Sequence, residues 1–196
     1  MRPESYTRPE YVAAFRELAA RIAASLSDVE RSALPIRMYV AGGAALHFHT
    51  GERVSVDVDA TFSRRIALPD GLDVAYRDED GAARLLYFDR QYNDTLGLMH
   101  EDAQDDSIPL ALEGIDPGVL DVRILTPVDL AVSKLGRSSE QDRADIAALA
   151  RRGLVHASDL ERRAMEALDT YVGDTQRVRG NIASAVKIVS ANGPPK

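Results

Sequence analysis

Two adjacent glycines, Gly42 and Gly43, separate an apolar run from a short segment typical of a helix. The run Ile36–Ala41 predicts a buried strand, and Ala44–Phe48 predicts the helix. Glycine lets the backbone approach a ligand closely, and the N–H groups at a helix start favour an anion such as phosphate. The junction therefore predicts either a structural turn or a phosphate-binding turn.

The next segment, Val54–Phe62, alternates apolar and polar residues and so predicts a strand. Asp57 and Asp59 are two residues apart, which places both carboxylates on one face of that strand. Neighbouring carboxylates repel each other unless a cation lies between them, and an oxygen-ligated divalent metal such as Mg²⁺ suits them. The alternative is an exposed strand face that carries two solvated acids.

The Gly-Gly turn followed by Arg53-x-Ser55-x-Asp57-x-Asp59 resembles the nucleotidyltransferase (DNA polymerase β-like) superfamily. The sequence is most similar there to AbiEii-type and related bacterial nucleotidyltransferases, several of which serve in toxin–antitoxin systems. A second block, Lys134-Leu135-Gly136-Arg137 followed by the segment Asp142–Ile146, also resembles these relatives. The resemblance covers residues 36–150.

The resemblance implies a magnesium-dependent enzyme that moves a nucleoside monophosphate from an NTP to an acceptor, with two Mg²⁺ ions between the carboxylates and the nucleotide phosphates. The implied catalytic residues are Asp57, Asp59, Glu101 and Lys134. The implied nucleotide-binding residues are Gly42, Gly43, Arg53, Ser55, Lys134 and Asp142. The implied metal ligands are Asp57, Asp59 and Asp102.

The third carboxylate is the least determined of these positions. Many superfamily members place it on a later strand. Thr95–His100 predicts a strand here, and Glu101 and Asp102, at the end of the segment Thr95–Asp102, are the candidates, followed by Asp121. Ala44 and Ala45 also lack the hydroxyl that many members have after the glycines. Both departures favour an alternative, a catalytically inactive relative that binds nucleotide or a partner protein.

Lysine is rare in this chain, since 21 of its 24 basic residues are arginine. A central lysine at position 134 therefore indicates either a need for a compact point charge or chance. Arg137, Asp142, Arg143 and Asp145 follow at spacings that also suit ion pairs on a helix surface. Both interpretations of this block stay open.

The charge distribution limits the choice of partners. Residues 1–150 hold 16 basic and 26 acidic side chains, a net charge of −10, whereas residues 151–196 have a net charge of +3. The acidic part disfavours sequence-specific duplex DNA and favours a protein or small-molecule acceptor, while the basic part favours tRNA or another RNA. The resemblance adds a cognate toxin or antitoxin as a partner. Without cysteine, a signal peptide or a long apolar run, we expect a cytoplasmic protein that does not bind membranes.

The expected fold is α/β (α+β), a nucleotidyltransferase-like mixed sheet of four to six strands flanked by helices. Leu72–Tyr76 and Arg84–Phe88 predict a hairpin, and Val119–Leu125 predicts a strand. Tyr11, Phe15, Leu18 and Ile22 recur every three to four residues and predict an N-terminal helix. Helices are also predicted over Val128–Leu135, with Thr126 as N-cap before Pro127, and over Glu140–Arg151. A further helix is predicted with Ser158 as its N-cap. The expected domains are an N-terminal helical segment (1–35), the α/β core (36–126), a C-terminal helical bundle (127–192) and a frayed tail (193–196).

Overall fold

The computed structural model describes residues 1, 3, 6–93 and 97–194. The chain divides into two compact units. The first comprises Met1–Tyr92 and Ser107–Ile124, and the second comprises Asn93–Asp106 and Leu125–Lys196. Strands lie in the first unit and four helices in the second, so the predicted mixed α/β class with a helical C-terminal part is confirmed.

The first unit is built from two mixed sheets and two α-helices within the described ranges. The helices are α1 (Pro9–Ala24) and α2 (Gly42–Thr50), with a single 3₁₀ turn at Arg31–Ala33 between them. The strands are β1 (Ile36–Val40), β2 (Asp57–Val58), β3 (Ala60–Phe62), β4 (Asp73–Arg77), β5 (Ala83–Phe88), β6 (Ile108–Pro109) and β7 (Leu120–Ile124). One sheet has the order β3-β1-β7-β6 and the other has the order β2-β5-β4.

Helix α1 forms because its apolar residues recur every three to four positions. Tyr11, Phe15, Leu18 and Ile22 are fully buried, and the helix packs against β4. Helix α2 is buried from Gly43 to Thr50, so it has no solvated face. This burial explains why alanines follow the glycine pair.

The single predicted strand over Val54–Phe62 is wrong. The chain forms β2, which pairs parallel with β5, and then β3, which pairs antiparallel with β1, and Asp59 lies between them. The Ala41 N–H donates a 2.8 Å hydrogen bond to the Asp59 carbonyl at this point. The segment therefore passes from one sheet to the other at Asp59. The alternation is kept only in part, because Val58 is buried while Val56 is 60% exposed.

Other strand predictions have mixed outcomes. The predicted hairpin is confirmed, with β4 and β5 antiparallel over Asp73–Arg77 and Ala83–Phe88. The short strand β6 was not predicted, because two residues carry no readable alternation. The predicted strand at Thr95–His100 is wrong over residues 97–100, which form a bend and loop, and residues 95 and 96 lie outside the described chain.

The second unit contains the helices α3 (Pro127–Ser133), α4 (Glu140–Arg151), α5 (Ala157–Leu168) and α6 (Thr175–Asn192). The Thr126 side chain accepts a hydrogen bond from the Asp129 N–H at the start of α3. Ser158 is not a cap, because α5 already begins at Ala157 after His156. Of the predicted tail, Pro195 and Lys196 lie outside the described residues. Within the described ranges no helix is long and apolar enough to cross a bilayer.

Candidate functional site

The glycine turn holds an aspartate carboxylate against its backbone. Gly42 has φ +57°, in the left-handed region that favours glycine, and it is the first residue of α2. A Cβ added to Gly42 would lie 1.9 Å from Oδ2 of Asp59. The Asp59 carboxylate therefore occupies the space that any other side chain at position 42 would need.

The second glycine makes a matching contact with the following loop. A Cβ on Gly43 would lie 2.7 Å from both Cβ and Oγ of Ser55 and 3.0 Å from Nη1 of Arg53. Here glycine is required by close packing. The turn thus brings the Arg53 guanidinium and the Ser55 hydroxyl to the start of α2.

Ser55 connects this turn to the other aspartate. Its hydroxyl, which is buried, donates a hydrogen bond to Oδ1 of Asp57. The structure therefore brings six of the predicted site residues together in the first unit: Gly42, Gly43, Arg53, Ser55, Asp57 and Asp59. Their roles in binding and catalysis remain predictions.

The start of α2 is suited to an anion. Its N-cap residue is Ala41, whose side chain makes no capping hydrogen bond. The N–H groups of a first helical turn carry partial positive charge and lack partners within the helix. The Arg53 guanidinium beside Gly43 adds a full positive charge at the same place. Phosphate oxygens are the ligands that such a turn favours.

The donor set at this turn fits Mg²⁺. Two carboxylates, those of Asp57 and Asp59, lie beside the turn, and both residues are partly exposed. Across the described ranges no group of three or more His, Asp or Glu side chains is placed to hold a metal ion. Mg²⁺ is commonly bound by one or two carboxylates together with substrate phosphates. Two carboxylates beside a turn suited to phosphate fit that chemistry.

A buried histidine positions the Arg53 loop. The His47 ring accepts a hydrogen bond from the Arg8 N–H at Nε2 (3.0 Å), while its Nδ1 lies 2.9 Å from the Arg53 carbonyl. Since Nε2 accepts, Nδ1 must carry the proton and donate to that carbonyl. Burial lowers the pKa of His47, which keeps the ring neutral. Since both ring nitrogens are engaged, His47 is a positioning residue, and the sequence motifs did not identify it.

Tyr11 is a second residue that sequence reasoning missed. Its ring lies edge-on to His47, with 4.8 Å between centroids. Burial raises the pKa of its hydroxyl, and the nearby Tyr76 and Asp57 raise it further. The helical spacing of α1 marked this position only as core. Because Tyr11 packs against His47, it helps to hold the imidazole ring that donates to the Arg53 carbonyl.

Lys134 lies in the second unit in a buried ion pair. Its Nζ donates a 2.6 Å hydrogen bond to Oδ2 of Asp145, and it lies 3.9 Å from Oδ1 of Asp142. All three side chains are at most 7% exposed. The contact fits the ion-pair interpretation of this block. Contact of Lys134 with a nucleotide phosphate stays a prediction.

Asp142 is likewise engaged. Burial alone would raise its pKa, but a bidentate pair with Arg137, both distances 2.8 Å, and hydrogen bonds from Ser139 lower the pKa to about 2. Ser139 and Asp142 also form the capping box of α4. Asp142 therefore has a structural role at the start of α4. Its predicted role in nucleotide binding receives no support from these contacts.

Of the three candidates for a third carboxylate, Glu101 and Asp102 lie outside the strands, whereas Asp121 lies on one. Glu101 and Asp102 are exposed residues of a turn in the second unit, and Oδ2 of Asp102 lies 3.8 Å from Nδ1 of His100. Asp121 lies on β7 and pairs with Arg123 at 3.2 Å and with Arg37 at 3.8 Å. The assignment of Glu101 as catalytic and Asp102 as a metal ligand remains a prediction.

A family model described as "Nucleotidyltransferase of unknown function (DUF6036)" matches residues 17–185, which include both the glycine turn and the Lys134 block. No curated protein matches the chain.

Proposed function

The chain belongs to this family of nucleotidyltransferases, DUF6036, and from that premise we propose that it transfers a nucleoside monophosphate from an NTP to an acceptor. The contact of Asp59 with Gly42 carries the proposal, because it joins a carboxylate to a phosphate-binding turn. In this proposal Asp57 and Asp59 hold Mg²⁺, and Gly42, Gly43 and Arg53 bind the triphosphate.

The chemistry is a displacement at the α-phosphorus. A hydroxyl oxygen of the acceptor forms the new P–O bond, the bond between the α-phosphorus and the bridging oxygen breaks, and pyrophosphate leaves with that oxygen. Bound Mg²⁺ would stabilise the charge on the attacking and leaving oxygens. The acceptor proton passes to a nearby carboxylate or to water.

Each residue of the turn has a part in that step. The two glycines let the triphosphate approach the backbone N–H groups at the start of α2, and Arg53 supplies a fixed positive charge beside them. Ser55 donates to Asp57 and so holds that carboxylate in one orientation. His47 fixes the loop through the Arg53 carbonyl.

For the acceptor we propose RNA, such as tRNA, with a protein or small molecule as the alternatives. The net charge of +3 over residues 151–196 supports RNA. A cognate toxin or antitoxin protein is the proposed partner, on the resemblance to AbiEii-type proteins.

Nucleotide binding without transfer is the second candidate. It is favoured because, in the described part of the chain, no third acid joins Asp57 and Asp59 in a cluster able to hold metal. A chain of this kind would bind Mg²⁺ and NTP at the glycine turn but would release no pyrophosphate.

The test is to incubate the full chain with Mg²⁺, cell extract and NTPs labelled with ³²P at the α or the γ position. We expect α label to enter the RNA fraction and γ label to appear as pyrophosphate. Asp57→Asn combined with Asp59→Asn abolishes transfer, whereas the exposed control Asp70→Asn does not. Nucleotide binding without any transfer would favour the second candidate, and neither binding nor transfer would overturn both.

A further inference from the structure

An exposed tyrosine lies in the same row of the sheet as Asp57. Strand β2 pairs parallel with β5 so that Asp57 is the register partner of Tyr87, and β4 continues the row with Asp73. Register partners on neighbouring strands place their side chains on the same face, with strands about 4.8 Å apart. The side chains of Tyr87 and Asp57 therefore leave neighbouring strands on the same face of the sheet.

The fold itself does not need an aromatic ring at this position. Along β5, Leu86 and Phe88 are buried, while Leu85 and Tyr87 point to the other face and are 47% and 40% exposed. Ala75, opposite Leu85 on β4, is exposed as well. One face of this three-stranded sheet thus belongs to the core. The other presents a small apolar platform, formed by Tyr87, Leu85 and Ala75, between the carboxylates of Asp57 and Asp73.

The bases of nucleotides are the ligands that fit such a platform. Any of the four bases can stack on an aromatic ring, because every base has a π face. The platform is continuous with the proposed phosphate site, since Asp57 belongs both to this row and, through Ser55, to the Gly43 turn. A nucleotide whose phosphates lie at the turn therefore has an apolar surface beside it.

We propose that Tyr87, with Leu85 beside it, stacks against the base of the bound NTP and so determines how tightly this site holds a nucleotide. The inference rests on the proposed function, because it places the phosphates of the same nucleotide at Asp57 and the glycine turn. It adds a binding residue that the nucleotidyltransferase motifs do not contain.

The test compares two ligands in the presence of Mg²⁺, a purine NTP and inorganic tripolyphosphate, which has the phosphates but no base. Calorimetric titration of the full chain is expected to show that Tyr87→Ala weakens NTP binding about 5- to 150-fold, the range that a stacked base contributes. The same variant leaves tripolyphosphate binding unchanged. Tyr87→Phe, which keeps the ring and removes the hydroxyl, is expected to bind NTP within about twofold of the parent chain.

The outcomes separate this inference from the proposed function. Equal NTP affinity of Tyr87→Ala and the parent chain would overturn the role of Tyr87 and leave the phosphate site intact. A parent chain that binds neither NTP nor tripolyphosphate would overturn the proposed function itself and this inference with it.

Discussion

The Asp59 carboxylate lies against the Cα of Gly42, in the space that a side chain at position 42 would fill. This contact places a metal-binding type of side chain at the positive end of α2. It also explains why position 42 must be glycine for two separate reasons, backbone conformation and space.

Gly42→Ala is expected to lower the free energy of unfolding by more than the backbone strain of a left-handed φ alone would. A left-handed φ costs a non-glycine residue about 1–2 kcal/mol, and the methyl group must in addition displace Asp59. Gly81→Ala is the matched control, because Gly81 has φ +77° and no atom within 4 Å of an added Cβ. Urea denaturation measures both variants. Equal losses of unfolding free energy in Gly42→Ala and Gly81→Ala would show that moving the Asp59 carboxylate costs no stability.

Ser55→Ala tests the orientation of Asp57. The substitution removes the hydroxyl that donates to Oδ1 of Asp57 and leaves both carboxylates in place. Loss of a partner that orients a metal ligand typically lowers metal affinity or activity about 10- to 100-fold. We expect Ser55→Ala to weaken the Mg²⁺ affinity of the transfer reaction, or to lower its rate, by a factor in this range. Ser63→Ala, on the segment after β3, is the control. An unchanged Mg²⁺ dependence of Ser55→Ala would show that Asp57 needs no orienting partner.

His47 predicts a pH dependence of stability. Burial lowers its pKa in the folded chain, so below about pH 6.5 the unfolded chain binds more protons than the folded chain. The free energy of unfolding should therefore fall as the pH decreases below that value. His47→Gln removes this contribution and flattens the curve, whereas the exposed His156→Gln does not. Urea denaturation at several pH values measures this pH dependence. If the free energy of unfolding changes with pH by the same slope in His47→Gln and the parent chain, the account is contradicted.

Lys134 and Asp145 predict a strong coupling. Lys134→Met leaves a buried carboxylate without its cation, which typically costs about 3–5 kcal/mol. Adding Asp145→Asn removes this buried negative charge, so the double variant should be more stable than Lys134→Met alone. The exposed pair Arg162–Glu166 is the control, where loss of the cation costs at most about 1 kcal/mol. Urea denaturation of the parent chain, the two single variants and the double variant measures the coupling. If the losses of unfolding free energy in the two single variants add up to the loss in the double variant, the predicted coupling is contradicted.

Local patterns in the sequence predicted what depends on local contacts. The periodicity of Tyr11, Phe15 and Leu18 predicts α1, and Thr126 before Pro127 predicts the start of α3, because each signal lies within one turn of the helix that it specifies. The glycine pair followed by two aspartates likewise predicts the turn and the carboxylates beside it.

The remaining features depend on which distant segments pair. Alternation over Val54–Phe62 has the same period whether its partner is β1 or β5, so it does not reveal that the chain changes sheets at Asp59. Tyr87 looks like an ordinary strand residue until the parallel pairing of β2 and β5 places it beside Asp57. The Lys134–Asp145 pair depends on how two helices of the second unit pack.

The central claim is that Asp57 and Asp59 hold a divalent metal together with a nucleotide at the glycine turn. Electron paramagnetic resonance with Mn²⁺, which accepts the same oxygen ligands as Mg²⁺, measures this directly in the presence of a non-hydrolysable NTP. We predict nucleotide-dependent Mn²⁺ binding by the parent chain and by Asp70→Asn, and its loss when Asp57→Asn and Asp59→Asn are combined. Mn²⁺ binding by the double variant with unchanged affinity would contradict the claim.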